Sequence, residues 1–260
     1  MEIRTVNVTR YITPLREGGS LPALAEADDG FLYVLKFRGA GQGPKALVAD
    51  LIGAEIARVC GLKVPELVIA ELDTAFGRTE PDEEIQDLLK ASVGTNLGVH
   101  YLSGSVMFDP AVTRIDPLLA SKIVWLDCLL MNVDRTARNT NMLNWNRELW
   151  LIDHGASLYF HHNWLGWQEQ AVKPFVQAKD HVLLPWATEL AQADKLLKPR
   201  LTKQALENIM RLLPDAWLQT DREEADEAER REVYTQFITT RLASSGVFVK
   251  AANDARAEIV

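Results

Sequence analysis

A polar stretch that joins an apolar helix to a β-hairpin constrains the fold of this chain more than any other feature. Apolar side chains recur at helical spacing over residues 117–131, and Asp134 follows that predicted helix. Asn139 comes five residues later, and residues 142–152 then form a predicted hairpin that stops at Asp153. We expect the loop after the helix to meet the end of that strand.

These polar side chains are the ones that kinase-type phosphoryl transfer requires. An alcohol that attacks a γ-phosphate needs a carboxylate to orient it and to accept its proton, and magnesium needs hard oxygen ligands facing the phosphates. Asp134 suits the first task, and the oxygens of Asn139 and Asp153 suit the second. Taken alone, the same residues also fit a polar loop whose side chains make turn hydrogen bonds to the backbone.

The N-terminal half contains three further features in the order that a kinase fold requires. Lys36 lies within an otherwise apolar predicted strand, a costly position unless its ammonium meets an anion such as an ATP phosphate. The helix predicted next carries two candidate acidic partners for this lysine, Asp50 and Glu55. Upstream of both, between two predicted strands, lies a segment whose glycines let backbone N–H groups approach phosphates: Gly18, Gly19 and Ser20.

The first part of the chain is predicted to be a small antiparallel sheet with one helix. Apolar residues recur at helical spacing from residue 45 to 60, and Gly61 stands at the C-cap position. The predicted strands cover residues 6–13, 21–27, 31–37 and 67–72.

The second part is predicted to be mostly helical. Residues 94–108 are interpreted as a loop, and the chain has helical character from about residue 180. We expect a boundary near residues 73–78, with a nucleotide-binding lobe at residues 1–75 and a catalytic lobe at residues 76–260.

Two segments of the chain resemble the HipA-like kinase family, in the short form that lacks the extra N-terminal domain of that family. They are residues 132–141 and residues 150–157, with further similarity at residues 33–37 and 57–65. The resemblance implies an α+β, two-lobed fold related to protein kinases and lipid kinases, with a small antiparallel-sheet N-lobe and a mostly helical C-lobe. It also implies ATP and Mg²⁺ between the lobes, and transfer to a serine or threonine hydroxyl.

The roles that this resemblance implies fall on named positions of the sequence. Lys36 would hold the α- and β-phosphates, Asp134 would be the catalytic base, and Asn139 and Asp153 would be the metal ligands. The predicted nucleotide-binding set comprises Gly18, Gly19, Ser20, Lys36, Asp50, Asn139 and Asp153.

The chain departs from the family pattern at the lysine partner. The family commonly has glutamate where this chain has Asp50, so the side chain is one methylene shorter, and Glu55 is the alternative partner. Arg135 follows the catalytic aspartate, as in the HipA-like and lipid-kinase pattern, and His154 replaces the phenylalanine of Asp-Phe-Gly. Arg135 is expected to hold the loop through backbone oxygens or Asp153.

Composition limits the partners. A formal charge of -8 and a pI near 5.2 argue against direct nucleic-acid binding or an anionic membrane surface. Apolar runs stay below the roughly 18 residues that span a bilayer, and the first residues lack the pattern of a signal peptide. Cys60 and Cys128 have apolar neighbours and are predicted to be buried thiols. We therefore expect a cytoplasmic protein.

The sequence favours an ATP- and Mg²⁺-dependent kinase that acts on a serine or threonine of a protein or of itself. A small-molecule phosphotransferase and a nucleotide-binding pseudokinase with a regulatory role remain as alternatives. The charged residues 221–232 are interpreted as a solvated helix face, with protein docking as the alternative. His161 and His162 are adjacent and would point to opposite faces of an extended segment, which argues against a metal site there.

Overall fold

The N-terminal part of the chain folds into a small closed sheet. The computed structural model describes residues 2–15, 21–76, 81–219 and 226–259. The sheet has the order β1-β2-β3-β5-β4, and β4 closes it by pairing with β1. This last pairing is parallel, whereas the other four are antiparallel as expected. The strands are β1 Arg4–Pro14, β2 Ala23–Ala27, β3 Leu32–Lys36, β4 Leu67–Leu72 and β5 Gly94–His100.

Strand β4 has one face in each of two hydrophobic cores. Successive side chains of a strand point to opposite faces. Val68 and Ala70 face the interior of the closed sheet, whereas Leu67 and Ile69 pack in the larger core with helix α1, Pro44–Val59. Helix α1 therefore lies between the closed sheet and the helical part of the chain, where its polar side chains can reach both.

The interpretation of residues 94–108 as a loop is wrong for strand β5 and for the short strand β6, Val106–Met107. Strand β5 contains two glycines and an asparagine, which are poor strand formers, so the sequence pattern did not predict it. Gly98 is required because a Cβ there would lie 2.6 Å from Cγ2 of Val68. Asn96 is buried, and both polar atoms of its side-chain amide bond the backbone. Its Oδ1 accepts the N–H of Arg38 at 2.9 Å, and its Nδ2 donates to the carbonyl of Ser92 at 2.7 Å. The first sheet thus includes residues beyond the boundary expected at residue 75.

The rest of the chain is mainly helical around one large core. Helix α2, Glu83–Ala91, covers the closed sheet with Ile85 and Leu89. A second sheet with the order β6-β7-β8 contains the predicted hairpin. Its strands are β6 Val106–Met107, β7 Met142–Trp145 and β8 Glu148–Leu151. The further helices are α2 Glu83–Ala91, α3 Pro117–Leu130, α4 Trp167–Ala171, α5 Leu190–Leu197, α6 Lys203–Met210, α7 Asp215–Leu218, α8 Glu227–Ala243 and α9 Ser245–Ile259.

Helix α3 delivers the chain into the polar loop, and both of its ends are fixed. Asp116 caps the first turn by accepting a backbone N–H at 2.9 Å. At the other end Met131 adopts the left-handed conformation with φ 56°. The guanidinium of Arg241, which is buried, donates to the carbonyls of Cys128 and Leu129 at 2.7 and 2.9 Å. The terminal carbonyls of α3 are therefore satisfied inside the core.

The charged segment near the C-terminus has a structural role in its described part. Residues 221–225 lie outside the described residues. Within α8, Arg230 is buried and donates to the carbonyl of Leu218, and Arg231 donates to the carboxylate of Asp215 at 2.6 Å. These two arginines therefore attach α8 to α7, so the described part of this segment is not only a solvated helix face as expected.

Two expectations from composition can be compared with the structure directly. Cys60 and Cys128 are both buried free thiols, as predicted. In the described ranges, no helix has the length and apolar character needed to cross a membrane.

Gly53 of α1 allows the helix to pack directly on the turn that follows β8. A Cβ at this position would lie 2.5 Å from Cβ of His154. We expect Gly53→Ala to lower the free energy of unfolding by about 1–3 kcal/mol, because the added methyl forces the helix and turn apart. Urea denaturation measures this difference.

Gly246→Ala in α9 is the matched control, because it is the same change in a helix with nothing within 4 Å of the added Cβ. Its free energy of unfolding should stay the same or rise by up to about 1 kcal/mol. Equal effects of the two substitutions would show that α1 does not pack on the turn as described.

Candidate active site

Three elements bring charged side chains together at the junction of the two cores. Strand β3 contributes Lys36, helix α1 contributes Asp50, and the turn after β8 contributes Asp153. The ammonium of Lys36 donates to the carboxylate of Asp50 and, at 2.8 Å, to Oδ1 of Asp153. Its side chain is only 13% exposed, so the two carboxylates supply the anionic partners that a lysine in this strand requires.

The acidic partner of Lys36 is Asp50 and not Glu55. Glu55 instead forms an ion pair with Arg58 of the same helix at 3.2 Å. The second oxygen of Asp50 accepts the backbone N–H of His154 at 2.7 Å. Asp50 thus joins β3 directly to the turn after β8. Its side chain is almost completely buried, which leaves little space for a longer acid at this position.

The charges of this cluster shift one another's pKa values. Burial alone lowers the pKa of Lys36, but Asp153 and Asp50 outweigh it, so the pKa is raised and the ammonium stays charged. Burial is also the largest effect on Asp50 and raises its pKa, against the pull of Lys36. For Asp153 burial acts in the same direction, but the charge of Lys36 outweighs it and the pKa is lowered.

Asp153 has a backbone conformation that is uncommon for residues other than glycine. Its φ is 54°, and its Oδ1 accepts the N–H of Gly155 at 3.3 Å. A Cβ on Gly155 would stand 3.3 Å from that same oxygen and 3.5 Å from the carbonyl of Ala46 in α1. The glycine lets the turn approach α1 closely, and the left-handed residue ends the strand and directs the carboxylate toward Lys36.

The loop after α3 holds its own carboxylate through two amides. Oδ2 of Asp134 accepts Nδ2 of Asn139 at 2.7 Å and Nδ2 of Asn141 at 3.4 Å. Asp134 is half-buried, and burial raises its pKa, with a further rise from the negative charge of Asp153. The backbone joins this loop to the strand end, since the N–H of Ile152 donates to the carbonyl of Asn141 at 3.0 Å.

Two side-chain oxygens at this junction are of the chemical type that magnesium uses as ligands. With its amide nitrogen on Asp134, Asn139 keeps Oδ1 as an oxygen ligand, and Asp153 keeps Oδ2, since Lys36 and Gly155 both bond Oδ1. Magnesium uses one or two carboxylates and completes its octahedron with water and phosphate oxygens. Across the described residues there is no group of three or more histidine, cysteine, aspartate or glutamate side chains placed for a metal.

Several predicted residues lie elsewhere or act differently. Gly18, Gly19 and Ser20 fall outside the described residues, so their contact with nucleotide stays a prediction. Arg135 binds backbone oxygens, as expected, but its carboxylate partner is Asp127 at 2.6 Å and not Asp153. His161 is buried with Nδ1 2.9 Å from the hydroxyl of Tyr234, in agreement with a structural role.

The residues beneath the loop were not predicted from the sequence. Asp127 is fully buried and contacts Arg135 and His181. The signal was an acidic residue in the middle of an otherwise apolar helix, which is rarely buried without a partner. His181 lies 54 residues further along the chain, and nothing in its local sequence indicates that it would reach this carboxylate.

Comparison with known proteins identifies the class as a kinase. A family model described as HipA-like kinase matches residues 8–246. This chain therefore belongs to the HipA-like kinase family, as its motifs indicated.

A solved structure shares the fold. It is the crystal structure of a Helicobacter pylori proinflammatory kinase, CtkA, with a TM-score of 0.56 and 12% sequence identity. The match covers 99% of this chain and 98% of that chain. At this identity the likeness concerns the fold alone. The search of curated proteins gave no match.

The double contact of Asp50 predicts that the usual glutamate will not fit at this position. In Asp50→Glu, the added methylene must displace Lys36 or the turn that His154 begins, because the carboxylate is buried against both. We expect the free energy of unfolding to fall by about 1–3 kcal/mol, together with a weaker affinity for ATP. Urea denaturation and calorimetric titration with ATP measure the two effects.

Asp254→Glu is the control, since Asp254 is a largely exposed side chain on α9. Its free energy of unfolding should change by less than about 0.5 kcal/mol. If Asp50→Glu were as stable as this control and bound ATP more tightly than the wild-type chain, the geometry of the site would not require the shorter side chain at residue 50.

Proposed function

We propose that this chain is an ATP- and Mg²⁺-dependent kinase that transfers the γ-phosphate to a serine or threonine hydroxyl of another protein or of itself. The observation that carries the proposal is the meeting of Lys36, Asp50 and Asp153 from three elements. Asp134 and Asn139 lie on the loop that is bonded to the same strand end. Membership in the HipA-like kinase family supports the same reaction class.

Lys36 is the residue proposed to bind the nucleotide phosphates. Its ammonium is charged, buried and already within 2.8 Å of one carboxylate oxygen. A phosphate oxygen carries the same sign of charge and accepts the same donors. Asp50 keeps the ammonium in place through its second contact to the backbone of His154. The pair therefore orients a phosphate without a rearrangement of β3 or α1.

Asp134 is proposed to act on the acceptor hydroxyl. Burial and the charge of Asp153 raise the pKa of its carboxylate, which makes it a better proton acceptor. Its Oδ2 is held by Asn139, and Oδ1 is the oxygen proposed to accept the proton of the acceptor hydroxyl. Orientation is a large part of catalysis in phosphoryl transfer, because the protein does little covalent chemistry.

Asn139 and Asp153 are the residues proposed to hold magnesium. The ion, when bound, neutralises charge that develops on the transferring phosphoryl group. The two ligands come from the loop after α3 and the turn after β8, which the bond between Ile152 and Asn141 keeps together.

Each of the two proposed lobes is built around one of the two hydrophobic cores. We propose that the closed sheet with α1 forms the nucleotide-binding lobe, and that the helical part with the second sheet forms the catalytic lobe. The site residues lie where α1 and the turn after β8 meet. We include strand β5 in the first of these proposed lobes because it pairs with β3 and β4, although it lies beyond the predicted limit at residue 75. We further propose that the protein acts in the cytoplasm.

Incubation with γ-labelled ATP and Mg²⁺ tests this function. We expect label on a protein acceptor or on the chain itself, and no transfer when magnesium is removed by a chelator. Asp134→Asn should lower kcat by at least about 10²-fold, because general base catalysis contributes 10²–10⁴. Asp153→Asn should lower the rate and weaken its dependence on magnesium. The exposed Asp87→Asn on α2 is the control and should leave kcat unchanged.

The other outcomes point to the alternatives. Nucleotide binding without any transfer by the wild-type chain would indicate a pseudokinase. Label found only on small alcohols would indicate a small-molecule phosphotransferase. Full activity of Asp134→Asn would contradict the assignment of the base.

A further inference from the structure

A carboxylate buried in α3 lies directly beneath the loop that carries Asp134. Asp127 is 0% exposed, and its side chain accepts three hydrogen bonds. Nδ2 of Asn132 donates to Oδ1 at 2.9 Å. Nε of Arg135 at 2.6 Å and Nε2 of His181 at 2.9 Å both bond Oδ2. Two of these three donors belong to the loop itself.

The contacts of His181 define its tautomer. Its Nδ1 accepts the backbone N–H of Leu183 at 3.0 Å and is therefore unprotonated. The proton is on Nε2, which donates to Asp127. A neutral imidazole leaves Arg135 as the charged partner of this carboxylate, so the buried cluster contains one negative and one positive charge.

Asn132 transmits the contact to the backbone on one side of Asp134. While its Nδ2 binds Asp127, its Oδ1 accepts the N–H of Asp134 at 3.1 Å. The backbone N–H of Asn132 also donates to the carbonyl of Asp127 at 2.9 Å. The residue that begins the loop is therefore fixed at three atoms.

Arg135 transmits the contact on the other side of Asp134. Its Nη1 donates to the carbonyl of Asn141, the same carbonyl that accepts the N–H of Ile152. Its own carbonyl accepts the N–H of Val182 at 3.0 Å, next to His181. One guanidinium thus links α3, the two ends of the loop and the strand end before Asp153.

We propose that Asp127 is a positioning residue, which fixes the backbone on both sides of Asp134 through Asn132 and Arg135 and so sets the direction of the Asp134 carboxylate. The inference rests on the proposed function for its catalytic consequence. Asp127 does not touch the nucleotide-binding cluster formed by Lys36 and Asp50. Because Arg135 also bonds the backbone beside the loop that carries Asn139 and beside Asp153, the effect should fall more on the chemical step than on nucleotide binding.

Asp127→Asn tests this proposal with little change of shape. The amide nitrogen would face a donor on one side, either Nδ2 of Asn132 or the pair Arg135 and His181, so one link to the loop is lost. We expect kcat to fall by about 10²-fold, as for a small misplacement of a catalytic group, with a smaller change in the KM for ATP. Amide hydrogen exchange over residues 132–141 should become at least about 10-fold faster, with no change over α1.

Asp194→Asn is the matched control. Asp194 accepts Nε1 of Trp125 at 2.8 Å, so it also contacts α3 through a side chain, but it does not contact the loop. We expect no change of kcat or of exchange over residues 132–141, and asparagine keeps an oxygen that can accept the indole N–H. Asn132→Ala is the second variant, which keeps the charged pair of Asp127 and Arg135 and removes the bond to Asp134 N–H.

Each outcome decides the inference. Faster exchange in the loop of Asp127→Asn or of Asn132→Ala supports it, and exchange equal to that of Asp194→Asn in both variants overturns it. Hydrogen exchange does not depend on turnover. If the wild-type chain transfers no phosphate, the proposed kinase function fails while the positioning of Asp134 is still decided by exchange.

Discussion

The contact of one buried ammonium with two carboxylates determines how the parts of this molecule fit together. Lys36 lies on the closed sheet, Asp50 on the helix between the two cores, and Asp153 after the small hairpin. Loss of Lys36 would leave two carboxylates without their counter-charge, one of them almost completely buried, which is far more costly than loss of an exposed ion pair. The helix, the sheet and the turn are therefore mutually dependent, and Gly53 provides the close approach that the contact needs.

A short acid at residue 50 is consistent with this geometry. Asp50 uses both oxygens, one for Lys36 and one for the backbone of His154, whereas a longer acid would reach the lysine from further away. A second buried carboxylate, Asp127, bonds two residues of the loop that carries Asp134, as Asp50 bonds the turn after β8. The proposed site thus has two anchors, one for the residues assigned to nucleotide and metal and one for the residue assigned to the acceptor.

The periodic parts of the fold and the motif residues could be predicted from sequence. Strands β2, β3 and β4, helices α1 and α3 and the hairpin have clear patterns, and motif order indicated that Lys36 and Asp153 belong to one site. Strand β5 could not be predicted, because Gly98 is fixed by its close approach to Val68, a tertiary contact. His181 was missed for the same reason, and local patterns placed Asp50 in the site but kept Glu55 as an alternative partner of Lys36, since they do not show the ion pair of Glu55 with Arg58.

A crystal structure with a non-hydrolysable ATP analogue and Mn²⁺ is the most direct test of the central claim, that these side chains form one nucleotide and metal site. The account predicts an anomalous manganese peak bonded to oxygens of Asp153 and Asn139, at about 2.0–2.2 Å, near the range for small hard cations. It also predicts phosphate oxygens on Lys36, with Asp50 still in contact with that lysine. A metal bound without Asp153, or phosphates distant from Lys36, would contradict it.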